Sequence, residues 1–294
     1  MERLDESSRP QVKPPVPLPD SVCFTHDAMN TTFALHLCGV GPDQLASLSR
    51  QCSERLDELE GRLSRFRDTS DIAQINSLQA GETFYPSDDC HRCLLLAIQA
   101  YGETGGLFDI TLGTRIEQRK AGAPGPLPAS IGRLIIHPDV AAVTCEVAGR
   151  ELDLGGIGKG FALDELKNLL LDWQVPGGLL SAGGSTLLAF GPHPWPVDLA
   201  APDGTTRLAL QDESLSASGT DMQGSHIVPP WDESEAPDYL SQRVWTIAGN
   251  AALADAWSTA LMLMTHAEVC ACLTIENSLI QAYAELDGQI KPLK

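Results

Sequence analysis

The stretch that most constrains this chain is Glu151-Leu-Asp-Leu-Gly-Gly-Ile-Gly-Lys-Gly-Phe-Ala-Leu-Asp164. Val143, Cys145 and Val147, then Leu152 and Leu154, supply apolar positions at a period near two, as a strand requires. Beyond it Phe161, Leu163, Leu166, Leu169 and Leu170 fall at helical spacing. At the junction Gly155, Gly156, Gly158 and Gly160 surround a single lysine, Lys159. Glycines there let backbone approach a ligand closely, and a helix start presents N–H groups and partial positive charge, which suits a phosphate or pyrophosphate. The same residues also suit a tight strand-to-helix turn with no ligand. The run is not a P-loop, because Gly160 and not Ser or Thr follows Lys159. Its glycines also fall as G-G-x-G-x-G, not as the dinucleotide fingerprint G-x-G-x-x-G.

With 294 residues, 43% of them apolar, the chain is long enough for a substantial core. No run of 18 uncharged apolar residues exists, so no membrane span is expected. The acidic start, Met1-Glu-Arg-Leu-Asp-Glu6, shows no signal peptide, and the expectation is a cytoplasmic protein, or an exported one if a native leader precedes this sequence. A net charge of −19 argues against nucleic acid and anionic membranes as partners. An anionic substrate would therefore need local help from a metal or from helix N-termini. The eight cysteines are scattered. Cys90-His-Arg-Cys93 has the spacing of a zinc or redox pair, but no second pair follows, and reduced, mostly buried thiols are expected.

Residues 1–20, rich in proline and charge, read as a flexible lead-in, and 21–294 as one domain. Strand signals run over Val22–Leu37 and include Ala28-Met-Asn-Thr-Thr-Phe33. Asp43–Leu63 is an amphipathic helix with Leu45, Leu48, Cys52, Leu56, Leu59 and Leu63 on one face. A short helix capped near Ser70 and a longer one over Ser87–Thr104 follow, then a loop at Gly105–Gly113 that presents Asp109. Ala121–Pro128 is a Gly/Pro linker, with strands expected at Leu134–Ile136 and Ala142–Val147. Gly177–Gly191 reads as strand, glycine turn and strand. Further strands are expected at Pro196–Ala200, Arg207–Leu210, Leu215–Ser218 and Val244–Ala248. A polar loop, Ser218–Pro230, carries one histidine, and 231–242 is acidic and irregular. Ala251–Thr265 is a helix, and the tail adds a helix and a hairpin. The fold class is α+β or mixed α/β.

Asp255 and Thr259 are four apart on that late helix, so both oxygens share one face. A carboxylate, a hydroxyl and backbone carbonyls make a hard, oxygen-only site of the kind Mg²⁺ takes. The alternative is a half-buried Asp with Thr bonding back into its own helix.

In register, these segments resemble the ApbE family, the FAD:protein FMN transferases. Ala28-Met-Asn-Thr-Thr-Phe33 resembles the family's Met-Gly-Thr strand, and Leu63-Ser-Arg-Phe-Arg-Asp-Thr-Ser-Asp-Ile-Ala-Gln-Ile-Asn76 its SxFxPxSELSRLN segment. Gly106-Leu-Phe-Asp-Ile-Thr-Leu-Gly113 is similar to GAFDPTVG, and Leu152–Asp164 to LDLGGIAKGYAVD. Ser181-Ala-Gly-Gly-Ser185 matches the GGDI turn, Ser216-Ala-Ser-Gly219 and Ser225-His-Ile-Val228 match TSG and HIID, and Ala254-Asp-Ala-Trp-Ser-Thr-Ala-Leu261 matches ADALATAL. The resemblance implies an α+β fold of mixed sheets and packed helices, with an FAD cleft between two intimately joined lobes. It implies that Met29, Phe66, Leu107, Phe108 and Asp109 line the FAD pocket, and that Asp153 and Lys159 hold the cofactor's polar parts. His226 and Ile227 would flank the diphosphate, His226 as the proton-transfer or phosphate-contacting residue. Gly156, through its carbonyl, would join Asp255 and Thr259, with Ser258 beside them, around Mg²⁺.

The implied reaction is attack by a Thr or Ser hydroxyl of an acceptor flavoprotein subunit on the FMN phosphorus of FAD, with AMP leaving. The sequence departs from the family pattern in places. Asn30 follows Met29 where glycine is usual, Gly158 replaces alanine, Ala217-Ser-Gly replaces Thr-Ser-Gly, and Pro229-Pro230 follows His226-Ile-Val. Two other readings stand beside the transferase. One is an FAD-binding protein of this fold that keeps FAD or hydrolyses it to FMN and AMP, and the other is a structural protein whose glycine turns are architectural.

Overall fold

Apolar residues at period two build a central sheet, and helices with an apolar face cover one side of it. The computed structural model describes residues 12–13, 18, 20–122, 131–219, 227–231 and 241–293. A short strand, β1 (Val12–Lys13), precedes the hairpin of β2 (Val22–Ala28) and β3 (Thr31–Cys38). Its loop is Met29-Asn30, with φ of 50° and 57°, the two-residue turn whose twist matches a right-handed hairpin. A methionine in that region costs about 1 kcal/mol.

Helix α1 (Pro42–Leu63) buries Leu48, Cys52, Leu56, Leu59 and Leu63, the face its leucine period predicts. The turn after it ends in α2 (Asp71–Asn76), where the Ser70 hydroxyl accepts from the Ala73 N–H. Then come β4 (Thr83–Phe84) and α3 (Asp88–Glu103), whose cap Ser87 accepts from the Cys90 N–H. A further helix, α4 (Gly113–Lys120), stands where the sequence pattern gives no signal; eight mostly polar residues carry too little apolar period to show it. Strands β5 (Arg133–Ile136) and β6 (Val143–Val147) complete a three-stranded sheet, order β4-β6-β5.

After the glycine bend come α5 (Gly158–Asp172), β7 (Gly177–Ala182), β8 (Thr186–Phe190), β9 (Trp195–Ala201), β10 (Gly204–Leu210) and β11 (Ser214–Gly219). The chain ends with β12 (Arg243–Ala248), α6 (Ala251–Leu261), α7 (His266–Cys272), β13 (Leu279–Leu286) and β14 (Gln289–Pro292). An antiparallel eight-stranded sheet, order β14-β13-β12-β11-β8-β7-β3-β2, is the central layer. On one face Leu180, Leu188, Phe190 and Val244 join Phe161, Leu166 and Trp257 of α5 and α6 in the main core. On the other, Leu179, Leu187, Leu215, Trp245 and Ile247 pack with Trp195, Val197 and Leu199 of a small β1-β9-β10 sheet. The α+β class expected from the sequence is the one observed.

Three local expectations change. Val12–Lys13, inside the lead-in expected to be flexible, pairs with β9 as β1, because Val12 is buried against the small sheet's core. Leu152 and Leu154 are buried, but in irregular chain and not in a strand. The Asn76 side chain accepts from the Leu152 N–H (2.7 Å) and donates to its carbonyl (3.0 Å), while the Ile110 carbonyl accepts from Asp153 N–H. Loop partners thus replace a ladder, and only Glu151 keeps an isolated parallel bridge, to Leu112. The helix from Ala251 also ends at Leu261, not Thr265, because Thr265 caps α7 in a reciprocal box with Glu268. The lead-in, the 121–128 linker and the segments 220–226 and 232–240 lie wholly or largely outside the described residues.

All eight cysteines are free; Cys52, Cys90, Cys93 and Cys145 are buried, Cys38, Cys270 and Cys272 partly so, and Cys23 exposed. Burial pushes the Cys52 thiol up to about 12, and those of Cys90 and Cys93 up as well, so these are inert core thiols.

Candidate active site

The glycine bend and the late helix meet. Gly160, in the first turn of α5, lies so close to α6 that a β-carbon there would sit 2.1 Å from the Ala251 carbonyl. No other residue permits that approach. Asp164, one turn on, accepts from the Ala251 and Ala252 N–H groups at 2.9 Å each and so ties the α6 N-terminus to α5. Burial raises the Asp164 carboxyl to about 6, against the pull of those two N–H donors.

This clamp brings Asp255 onto the start of α5. Its Oδ2 accepts from the Gly160 N–H at 3.4 Å and lies 3.7 Å from the Lys159 ammonium, which also donates to the Gly155 carbonyl at 3.2 Å. The helix start expected to greet a phosphate therefore faces the protein's own carboxylate, an anion its dipole favours. Asp255 Oδ1 accepts from Ser216 (3.1 Å) and Thr186 (3.3 Å), both buried on the sheet beneath. Ser258 donates to the Asp255 backbone carbonyl and shares a 2.8 Å hydrogen bond with Ser218. Thr259 donates to the same carbonyl at 3.4 Å, and its Oγ1 would be 3.1 Å from a β-carbon on Gly156. The structure thus gathers Asp255, Ser258, Thr259, Lys159 and Gly156 at one point. Spacing alone places only Asp255 and Thr259 together, and the resemblance is what implies the other three.

Phe108 is buried against Gly156, where its ring would be 3.0 Å from an added β-carbon. Leu107 packs on the main core, and Asp109 turns back to accept from the Thr111 N–H at 2.8 Å. Asp153 accepts from the Gly155 N–H (2.7 Å) through Oδ1 and from Arg65 (3.0 Å) through Oδ2, so its carboxylate is already engaged within the protein. Phe66 is 76% exposed, with the Arg65 guanidinium 5.3 Å from its ring centroid. Met29 caps the β2–β3 end of the sheet where the β7–β8 turn also lies, since a β-carbon on Gly183 would meet the Thr31 hydroxyl at 2.5 Å. Ile227 is buried, and nearby Pro230 and Trp231 give their carbonyls to Arg115. His226 lies outside the described residues.

Sequence reading missed Arg65, Thr186 and Ser216. Alternation along Ser214-Leu-Ser-Ala-Ser218 was the available signal for Ser216; nothing local marks Arg65, whose partners lie in distant segments. Of the clefts among the described residues, one of about 330 Å³ is lined by Tyr101, Asp109 and Arg150, and another of about 490 Å³ by Arg92, Asp164 and Lys167. Neither is lined by Gly156, Asp255 or Thr259, so the donor geometry and not cleft volume marks this site.

Comparison with known proteins adds three findings. The model of the ApbE family matches residues 29–284. The FAD:protein FMN transferase of Salmonella typhimurium is 23% identical over 270 residues, 80% of this chain and 76% of the relative; that of Treponema pallidum is 26% identical over 260 residues, 74% and 71% respectively. Among solved structures, Pseudomonas stutzeri flavinyl transferase ApbE in its apo form superposes with a TM-score of 0.79 at 23% identity, covering 92% of this chain and 94% of that one. The ApbE protein of Thermotoga maritima gives 0.76 at 20% identity, covering 93% and 97%.

Proposed function

The chain belongs to the ApbE family, and on that premise we propose that it is an FAD:protein FMN transferase, moving FMN from FAD to a Thr or Ser hydroxyl of an acceptor flavoprotein subunit in a Mg²⁺-dependent reaction that releases AMP. The observation that carries this reading is the meeting of Gly156 and Lys159 with Asp255 and Thr259, segments about a hundred residues apart, at one point.

The donors there suit the cation: one carboxylate, hydroxyls and backbone carbonyls are hard oxygens, and Mg²⁺ commonly takes one or two carboxylates plus substrate phosphates. Among the described residues no group of three His, Cys, Asp or Glu side chains offers a closed cage instead. Asp255, Thr259 and the Gly156 carbonyl would hold the ion, with Ser258 fixing the helix turn beside them. When bound, the ion neutralises charge on the phosphoryl oxygens. Lys159 adds a second positive charge at the diphosphate. Met29, Phe66, Leu107, Phe108 and Asp109 line the FAD pocket, Asp153 with Lys159 holds the cofactor's polar parts, and Ile227 flanks the diphosphate. The acceptor oxygen forms a bond to the FMN phosphorus as the bond from that phosphorus to the AMP oxygen breaks. AMP carries away the electron pair, and His226 takes the hydroxyl proton.

Incubating the protein with FAD, Mg²⁺ and a candidate acceptor tests this directly. The expected result is a mass gain of one FMN on the acceptor with stoichiometric AMP. Free FMN and AMP without a modified acceptor would favour hydrolysis, a reading that Pro229-Pro230 beside His226 keeps in view. Failure to take up FAD would leave only an architectural role for the bend.

A further inference from the structure

We propose that Arg65 is a positioning residue for the dinucleotide, one that sets the glycine bend and neutralises the carboxylates crowded at its entrance. This rests on the flavin-transferase reading above. Its side chain is 7% exposed and satisfies four acceptors at once. Nη1 donates to the Gly113 carbonyl and to Asp153 Oδ2, both at 3.0 Å; Nη2 donates to Glu151 Oε1 at 2.6 Å and Glu117 Oε2 at 2.9 Å. Gly113 makes room for it, since a β-carbon there would press on Nη1 at 3.1 Å and on the Glu151 carbonyl at 2.7 Å.

Asp153, held by Arg65 on one oxygen, accepts from Gly155 on the other, so the guanidinium reaches the bend through a single carboxylate. The same guanidinium lies over the Phe66 ring. Arg65 therefore joins the two sides of the site, the exposed aromatic ring and the phosphate-facing bend. Charge makes the second part of the argument. Glu117, Glu151 and Asp153 converge on this one cation in a protein of net charge −19. Without it, three carboxylates would face one another and the approaching diphosphate.

The test uses Arg65→Ala, Arg65→Lys and the double variant Arg65→Ala/Glu151→Gln, each checked for folding by circular dichroism and thermal melting. FAD binding without acceptor is read by flavin fluorescence, and steady-state KM and kcat with acceptor. Arg65→Ala should raise the KM for FAD by about 10- to 100-fold, the range for outer-shell partners, with a smaller change in kcat. Arg65→Lys should fall between, because a lysine keeps the charge but not the fork. Removing one repelling carboxylate in the double variant should recover part of the lost affinity, which a purely structural role would not do. Folded variants with unchanged KM, or a double variant no better than the single, would overturn the proposal, as would failure of all three to fold. If the unmodified protein itself takes up no FAD, the transferase reading falls and this inference with it. If it binds FAD and the variants bind equally, only the role of Arg65 falls.

Discussion

Strand β11 looks two ways. Leu215 and Ala217 face the small sheet in a layer built from Trp195, Val197, Leu199, Trp245 and Ile247. Ser214, Ser216 and Ser218 alternate to the opposite face, toward α6, where Ser216 joins Thr186, Ser258 and Asp255. Both faces are almost fully buried. One closes almost wholly with apolar area, the Trp245 indole N–H being buried there without a hydrogen bond among the described residues. The other carries a carboxylate and several hydroxyls inside the main core. Buried polar groups stabilise little net, and leaving one unpaired costs about 1–3 kcal/mol. The hydroxyls of Ser216 and Thr186 are paired with Asp255, while the Ser214 hydroxyl on the same face is buried with no hydrogen bond among the described residues. A carboxylate held this way suits a binding site, and the apolar face suits the fold.

Asp255→Ala cuts deepest into that contrast. It should remove metal-dependent AMP release altogether, a loss larger than the roughly 10- to 100-fold typical of outer-shell partners, while circular dichroism still reports the folded sheet. Retained turnover would dissolve the distinction between the faces and remove the assigned metal site. Leu215→Ala probes the apolar side. A fully buried leucine there should cost about 2–5 kcal/mol in denaturant unfolding, with kcat per folded molecule unchanged. A lower kcat would mean that the small sheet also shapes the site.

How much of this was legible beforehand depends on the length scale of each signal. Helix α1 and the cap at Ser70 show in the sequence because their determinants lie within a few residues. The i, i+4 pair Asp255 and Thr259 is equally local, and the structure places both on one face. Arg65 and Thr186 are different: their roles come from Asp153, Glu151 and Asp255, far along the chain. Leu152 and Leu154 misled because burial in a loop stitched by Asn76 produces the same alternation as burial in a strand. Arg65, moreover, sits between Ser64 and Phe66 at a position the family pattern leaves open, so only coordinates give it partners.

Asp164 sharpens the comparison through pH. Its carboxyl rises from 3.8 to about 6 on folding because it is buried at the α5–α6 junction. The folded protein thus holds a proton that the unfolded chain has released, so this group's contribution to stability is present below about pH 4 and is lost as pH rises through 6. A rise of that size amounts to roughly 3 kcal/mol. Asp164→Asn should therefore flatten the decline in stability between about pH 4 and 6 relative to the unmodified protein, measured by urea unfolding at several pH values. An identical decline in both would mean that the clamp on the α6 N-terminus carries no titrating charge.

Ser216→Ala gives the smallest and most discriminating effect, because it lies next to Leu215 on the same strand. The change deletes one of the two side-chain hydroxyls that donate to Asp255 Oδ1 and leaves Thr186 as the other. Loss of one such hydrogen bond should cost about 1 kcal/mol of stability, less than Leu215→Ala, and turnover should fall by about tenfold, which corresponds to roughly 1.4 kcal/mol. Adjacent residues would then show opposite signatures: a large stability loss with intact kcat at 215, a small stability loss with impaired kcat at 216. If Ser216→Ala leaves kcat untouched, the Ser216 hydroxyl serves only to satisfy a buried carboxylate, and orientation of that carboxylate comes from Thr186, the Gly160 N–H and Lys159.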